Sequence, residues 1–308
     1  MKTALFSSPP TTAYAPPAVA LAGGRIAALV ELTKPRIALM VLFTVATGFL
    51  LGARSDWRAT TLTLTMLGTG LVAGGASAWN QLLERGRDAR MKRTQNRPLP
   101  SGRVSPRAAG VFGAAITATG LVMLALGSNL TATAVAAATW ALYVLVYTPL
   151  KPLTTLNTAI GAIPGALPPV IGWAAATGRL GIEAWALFLI VFLWQFPHFL
   201  AIAWIYREDY ARGGHQMLPT IDPQGAITGR QAAFHALALV PAALLPSAVG
   251  LAGGWYFAGA LMLGLFYLAV SVRFWADVSD QSARNLLRAS IIYLPLILAL
   301  LLLNPRTY

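Results

Sequence analysis

Long apolar runs alternate with short polar connections along almost the whole chain. A membrane-spanning helix needs roughly 20 mostly apolar residues, and about nine runs approach or meet that length. They cover Ile37–Gly52, Thr60–Leu83, Ala108–Leu126, Leu130–Tyr147, Leu153–Ala176, Ala184–Tyr206, Ala232–Val249, Gly254–Val272 and Leu286–Leu303. The pattern predicts an all-α polytopic membrane protein. Pro164, Pro168 and Pro169 interrupt the fifth run. Proline removes a backbone donor and kinks a helix, and inside a bundle such a break is tolerated where it lines a cavity. Small-residue spacings such as Gly70/Gly74 and Gly161/Gly165 suit close helix packing in lipid.

Composition agrees with the pattern. Of 308 residues, 56% are hydrophobic and 11% charged, against about 25% charged in ordinary soluble domains. That balance disfavours a soluble enzyme, a disordered protein and a nucleic-acid module. The net charge of +13 suggests nucleic acid only until its distribution is read. All but Arg54, Arg58, Arg179 and Arg306 of the 23 basic residues fall on the side of the membrane that holds the N-terminus. Basic loops stay cytoplasmic, so the expected topology is a cytoplasmic N-terminus and an external C-terminus. No nucleic-acid partner is expected; the partner is the lipid bilayer. The absence of cysteine excludes disulfides, thiolate metal sites and cysteine nucleophiles. Residues 1–30, rich in Pro, Ala, Ser and Thr, read as a flexible cytoplasmic tail, and 31–308 as one transmembrane domain.

Three polar clusters stand out. The first runs from Asn80 to Leu99 and holds Asn80, Glu84 and Asp88 at i, i+4, i+8, which puts them on one face at the end of the second span. Stacked carboxylates repel unless a cation sits between them, and oxygen-only ligands suit Mg²⁺ shared with substrate phosphates. Arg90, Lys92, Arg93 and Arg97 follow directly, and arginine forks bind phosphate oxygens. The cluster therefore reads as a metal–diphosphate site. The same charges also suit an ordinary positive-inside loop.

The second cluster closes the sixth span with Trp194-Gln195-Phe196-Pro197-His198-Phe199 and continues through Tyr206-Arg207-Glu208-Asp209-Tyr210 to Arg212-Gly213-Gly214. His198 lies about two turns inside that span. A polar residue at that depth is a functional candidate; ligation of haem iron, acid–base work and a hydrogen bond inside the bundle all fit it. His215 and His235 lack a ligand-like neighbour pattern. The third cluster is Tyr143, Tyr147-Thr148-Pro149-Leu150-Lys151 and Asn157, in which Lys151 can hold phosphate as a point charge. Lys34 and Arg36 flank the first span; Lys34 reads as an interfacial anchor. The second, fourth and sixth spans all run toward the cytoplasm and carry their clusters at that end. In a compact bundle the three can face one cavity, with apolar helices behind it for a long hydrophobic substrate.

These residues resemble a known family. Asn80-x-x-x-Glu84-x-x-x-Asp88-x-x-Met91-x-Arg93-Thr94-x-x-Arg97-Pro98-Leu99 resembles the first signature of the intramembrane UbiA-type prenyltransferases. Trp194–Phe199 and Tyr206–Pro219 resemble the second signature of the protohaem farnesyltransferase branch, and Thr33–Arg36 and Tyr147–Lys151 also fit it. The likeness spans roughly Leu32 to Pro219. Glu84 stands where many members carry Asp, Gly86-Arg87 replaces a pair that is often acidic and apolar, and the second motif supplies Asp209 without an Asp-x-x-x-Asp.

The resemblance implies nine helices around a central cavity, farnesyl diphosphate and haem B as substrates, and haem O and diphosphate as products. It implies Mg²⁺ on Asn80, Glu84 and Asp88, and diphosphate on Arg36, Arg93, Arg97, Tyr147 and Lys151. His198 and Arg207 would contact haem, and Asp209 would serve a second polar site. It further implies a bacterial plasma (inner) membrane location, an active site facing the cytoplasm, and a downstream haem-modifying enzyme or terminal-oxidase assembly as partner. A prenyltransferase acting on a quinone precursor or chlorophyllide would share the first motif but not the second. A transporter would place charges at midplane, a structural haem protein would not need the carboxylate–arginine cluster, and the glycine-containing Asp-rich signature of phosphoalcohol transferases is absent.

Overall fold

The computed structural model describes residues 22–53 and 57–305. Among them, nine helical segments are long and apolar enough to cross a membrane. They are α2 (Pro35–Ala53), α3 (Ala59–Asp88), α4 (Pro106–Gly127), the fourth span Leu130–Leu150, the fifth span Asn157–Thr177, α9 (Ile182–Ile205), α12 (Ala226–Ala248), α13 (Gly254–Ala276) and α14 (Asp280–Leu303). Three short helices lie outside the spans: α1 (Ala22–Leu32), α10 (Arg207–Gly213) and α11 (Leu218–Ile221). The multi-pass architecture read from the apolar runs is the one observed.

The differences are local and have local causes. Several helices outrun their apolar stretch because polar residues cap or continue them. α3 runs on to Asp88, and α14 starts six residues before the apolar run, behind a capping box in which Ser279 and Ser282 exchange bonds. The fourth span is two helices, α5 (Leu130–Ala141) and α6 (Thr148–Leu150), joined by a π-helical turn at Leu142–Tyr147. The fifth span breaks at Leu167 into α7 (Asn157–Ala166) and α8 (Pro168–Thr177), where Pro168 and Pro169 cannot donate to the preceding turn. The tail expected over 1–30 falls largely outside the described residues. Its last part, from Ala22, is not a tail but helix α1, pinned where Gln81 Nε2 donates to Leu32 O at 2.8 Å and by burial of Ala28 and Leu32. Lys2, Arg54 and Arg306 also lie outside the described residues.

Close approach rather than bulky interdigitation holds the first half together. α2 lies along α8 and α3 along α4. A Cβ on Gly172 would sit 1.9 Å from Val45 O, and one on Gly48 would sit 2.0 Å from Pro169 O. In lipid, helices associate through van der Waals contact, so small residues at the seam set the distance. The second half packs α12 against α9 and α13, and α14 against α9 and α13, around buried Tyr256, Tyr267, Phe274 and Tyr293. The Tyr267 and Tyr293 rings stack at 5.0 Å. Large apolar side chains such as Leu126, Leu130, Trp255, Met262 and Leu303 point outward, as lipid-facing positions should.

Candidate active site

Two cavities adjoin at one end of the bundle and share Lys34, Arg36, Ile37, Tyr143 and Tyr147 as lining. One is polar, about 700 Å³, and lined by Asn80, Glu84, Asp88, Arg93, Arg97, Lys151, Tyr210 and His215 among others. The second is apolar, about 660 Å³, and runs between the helices past Val72, Trp140, Ile171, Val191, Trp194, His198, Phe199 and Leu294. The three polar clusters of the sequence thus meet around a single space.

Each candidate metal ligand on α3 is matched by a cation from another element. Lys34 Nζ donates to Asn80 Oδ1 at 3.5 Å, Lys151 Nζ lies 2.8 Å from Glu84 Oε1, and Arg97 Nη1 reaches both Asp88 oxygens at 2.9 and 2.8 Å. Asn80, Glu84 and Asp88 are all buried, and the two ion pairs neutralise carboxylates that would otherwise be costly away from water. Lys151 Nζ meets Glu84 Oε1 at hydrogen-bonding distance, and the carboxylate oxygen retains a second lone pair. That oxygen keeps coordinating capacity for a cation. Among the described residues no group of three or more His, Cys, Asp or Glu forms a metal cage. Two carboxylates and an amide are hard oxygen donors, and so short a protein set suits Mg²⁺ completed by phosphate oxygens.

The fourth span reaches the site through its π turn. A π-helical turn adds a residue to the helix and often marks a functional site. Here Thr148 Oγ1 donates back to Tyr143 O at 2.8 Å and accepts from Asn80 Nδ2 at 3.1 Å. Tyr143 and Tyr147 lie 5.3 Å apart on the cavity wall, and Lys151 Nζ sits 4.6 Å from the Tyr147 ring centroid. Gly161 on α7 makes room for that ring, since a Cβ there would stand 2.5 Å from it. Burial opposes the charge on Lys151, but Tyr147 and Glu84 outweigh it and hold the ammonium above the usual lysine range.

The structure revises several sequence assignments. Lys34 is no interfacial anchor: its backbone takes a left-handed φ of 50°, and its side chain lines both cavities. Burial first, then Arg97 and Lys151, lower its pKa to about 7. Arg207 lines neither cavity; its guanidinium pairs with Asp280 at 2.7 Å, donates to Trp204 O and lies over the Trp204 ring. An acidic partner on α14 holds it at this position, outside both cavities. Asp209 also lines neither cavity. Its oxygens accept from the backbone N–H of Lys92 at 3.1 Å and Arg93 at 3.2 Å, and from Arg212. Against the upward push of burial, Arg212 and those two N–H groups hold its carboxyl below the usual range. Asp209 therefore fixes the loop that carries Arg93, whose guanidinium donates to Tyr210 Oη and lies over the Tyr206 and Tyr210 rings.

His215 stands in a loop, and the sequence around it carries no spacing signal. It is buried against the polar cavity, edge-on to Tyr210, and burial lowers its pKa to about 4 although Glu84 acts the other way. The loop is tied to the connection between the fourth and fifth spans and to the start of α7, where Gln216 N donates to Lys151 O and Asn157 Nδ2 donates to Gln216 O, both at 2.8 Å. His198, on α9, lines the apolar cavity.

Residues 41–297 match the UbiA prenyltransferase family. The chain belongs to that family. It is 47% identical over 284 residues to a protein named protoheme IX farnesyltransferase from Solibacter usitatus (strain Ellin6076), covering 89% of this chain and 97% of that one. The fold is that of solved UbiA-type structures. A digeranylgeranylglyceryl phosphate synthase superposes with a TM-score of 0.76 at 18% identity, covering 91% of this chain and 98% of that one. A UbiA homolog from Archaeoglobus fulgidus bound to GPP and Mg²⁺ does so with a TM-score of 0.65 at 17% identity, covering 89% and 99%. This UbiA member is a multi-pass membrane prenyltransferase.

Proposed function

We propose that this chain transfers the farnesyl group of farnesyl diphosphate to a vinyl group of haem B, giving haem O and diphosphate. One observation carries the proposal: a cation-rich polar cavity adjoins an apolar one, and Tyr143 and Tyr147 stand on their shared wall. The name of the Solibacter relative supports the substrate pair.

Arg36, Arg93, Arg97, Lys34, Lys151 and Tyr147 bind the diphosphate. As the allylic C–O bond breaks, its electron pair leaves with the diphosphate, and the fixed cations, with the Tyr147 hydroxyl as a neutral donor, stabilise the charge that grows there. Asn80, Glu84 and Asp88 would hold Mg²⁺, which would supply further neutralisation of the diphosphate charge. The prenyl chain lies in the apolar cavity, whose walls keep water from the allylic cation. The terminal vinyl carbon forms the new C–C bond, water adds to the inner vinyl carbon, and one proton leaves. His198 contacts the haem. Asp209 acts by holding the Arg93 loop.

The one-sided distribution of basic residues supports a cytoplasmic position for this end of the bundle and for the N-terminus, with the C-terminus outside, and a bacterial plasma membrane is the location we propose. A downstream haem-modifying enzyme or oxidase assembly would take the product.

The test is to incubate membranes containing the protein with haem B, farnesyl diphosphate and Mg²⁺ and identify haems by mass spectrometry. A haem carrying a hydroxyethylfarnesyl group, lost on adding EDTA, is expected. Folded protein that makes no new haem would point to a different prenyl acceptor.

A further inference from the structure

We infer that Ser290 is a positioning residue that fixes the tautomer and aim of His198. Ser290 lies on α14, fully buried, well outside the motif-bearing segments. Its Oγ donates to Leu287 O at 2.6 Å. A carbonyl can only accept, so the single hydroxyl proton is committed there. The same Oγ lies 2.7 Å from His198 Nδ1. With its proton committed, the hydroxyl can only accept from the ring, so Nδ1 carries the hydrogen. A neutral imidazole then has its lone pair at Nε2.

The backbone of the same residue fixes the ring's neighbour. Trp194 Nε1 donates to Ser290 O at 2.9 Å, and the Trp194 and His198 rings stack at 4.9 Å with 24° between planes. One residue of α14 therefore holds both rings, and His198 lines the apolar cavity with Nε2 as its free nitrogen. Among the described residues the hydrogen bond of the His198 ring is the one at Nδ1, and none reaches Nε2. An imidazole with Nδ1–H bonded and Nε2 bare is the arrangement by which histidine meets a metal, and the acceptor on Nδ1–H sets the ring's orientation and basicity in that bond. The metal is the iron of the haem acceptor; this part rests on the function proposed above.

The protein has three histidines, so the ring can be observed directly. Full-length protein labelled with ¹⁵N-histidine, with His198→Ala to assign the signal, reports the tautomer from imidazole nitrogen shifts without haem present. The wild type is expected to be the Nδ1–H form, and Ser290→Ala to move toward the Nε2–H form. A wild-type Nε2–H ring, or an unchanged ring in Ser290→Ala, overturns the assignment of Ser290.

Titration with haem B then reads the consequence. Ser290→Ala should weaken haem binding about 10–100-fold, shift the iron–histidine vibration of the reduced complex, and lower kcat/KM for haem while KM for farnesyl diphosphate stays put. Ser290→Thr, which keeps the hydroxyl, should restore the vibration. A wild type with the Nδ1–H ring but no iron–histidine vibration would leave Ser290 in place and overturn haem iron as its purpose.

Discussion

Lys151 Nζ lies 2.8 Å from Glu84 Oε1, which locks the end of the fourth span to the end of the second. Both side chains are largely buried. Breaking such a pair strands a charge and costs about 3–5 kcal/mol, whereas removing both partners can be nearly neutral. Lys151→Met should therefore lower the melting temperature of the purified protein markedly. Lys151→Met combined with Glu84→Gln should recover most of that loss yet form no product, because the metal–diphosphate site has lost two groups. A double variant that regained turnover would refute the role given to the pair.

Arg97 spends one nitrogen on both Asp88 oxygens and borders the polar cavity. Its planar fork leaves other N–H groups for phosphate, which an ammonium cannot reproduce. Arg97→Lys should raise KM for farnesyl diphosphate about 10–100-fold, as expected for losing one charged hydrogen bond of about 1.5–3 kcal/mol. Steady-state kinetics at saturating haem measures it; an unchanged KM would remove Arg97 from the diphosphate site.

How much of this could be read from the chain differs by feature. The spans were legible because each is an apolar run, and the break at Leu167 because Pro168 and Pro169 forbid a continuous ladder. The polar face of α3 was legible because i, i+4, i+8 spacing of Asn80, Glu84 and Asp88 survives the extension of the helix to Asp88. Lys34 was not, since a left-handed residue at a helix junction turns a flanking lysine inward and hydropathy carries no trace of it. The π turn has no sequence signature either. Motif membership grouped Asp209 and Arg207 with the site, but not which way they face. Asp209 binds backbone N–H groups and Arg207 finds Asp280, a partner on a helix distant in sequence. Ser290 hides in an apolar run because a single hydroxyl there looks like packing.

Gly161 is where the fifth span lets the Tyr147 ring sit beside Lys151. A Cβ there would approach the ring to 2.5 Å, so the ring must shift or α7 must move. Overpacking of this kind costs about 1–3 kcal/mol. Gly161→Ala should lower both stability and kcat, and Gly161→Ala with Tyr147→Leu should restore stability alone. Equal activity in Gly161→Ala and wild type would mean that the Tyr147 position is unimportant.

Asp209 joins α10 to the Lys92–Arg93 loop through both carboxylate oxygens. Its folded pKa lies below the usual value, so the stabilisation is complete above the unfolded pKa of about 3.9 and is lost as pH falls through the folded value. Asp209→Asn should melt lower than wild type at pH 7, and the gap should narrow as pH is taken below about 4. Melting curves across pH check this. A gap independent of pH would mean that the carboxylate charge contributes nothing to holding the loop.

Arg207 separates motif from mechanism. It stands in the second signature, yet its guanidinium is engaged by Asp280, Trp204 O and the Trp204 ring, and it borders neither cavity. Its ion pair is partly exposed, and such pairs contribute about 0–1 kcal/mol. Arg207→Gln should therefore keep KM for haem and for farnesyl diphosphate near wild type and change the melting temperature little. His198→Ala, by contrast, removes the imidazole that lines the apolar cavity and should raise KM for haem. The two variants assayed side by side decide the matter: if Arg207→Gln raises KM for haem as His198→Ala does, the arginine must leave Asp280 to reach the acceptor during turnover.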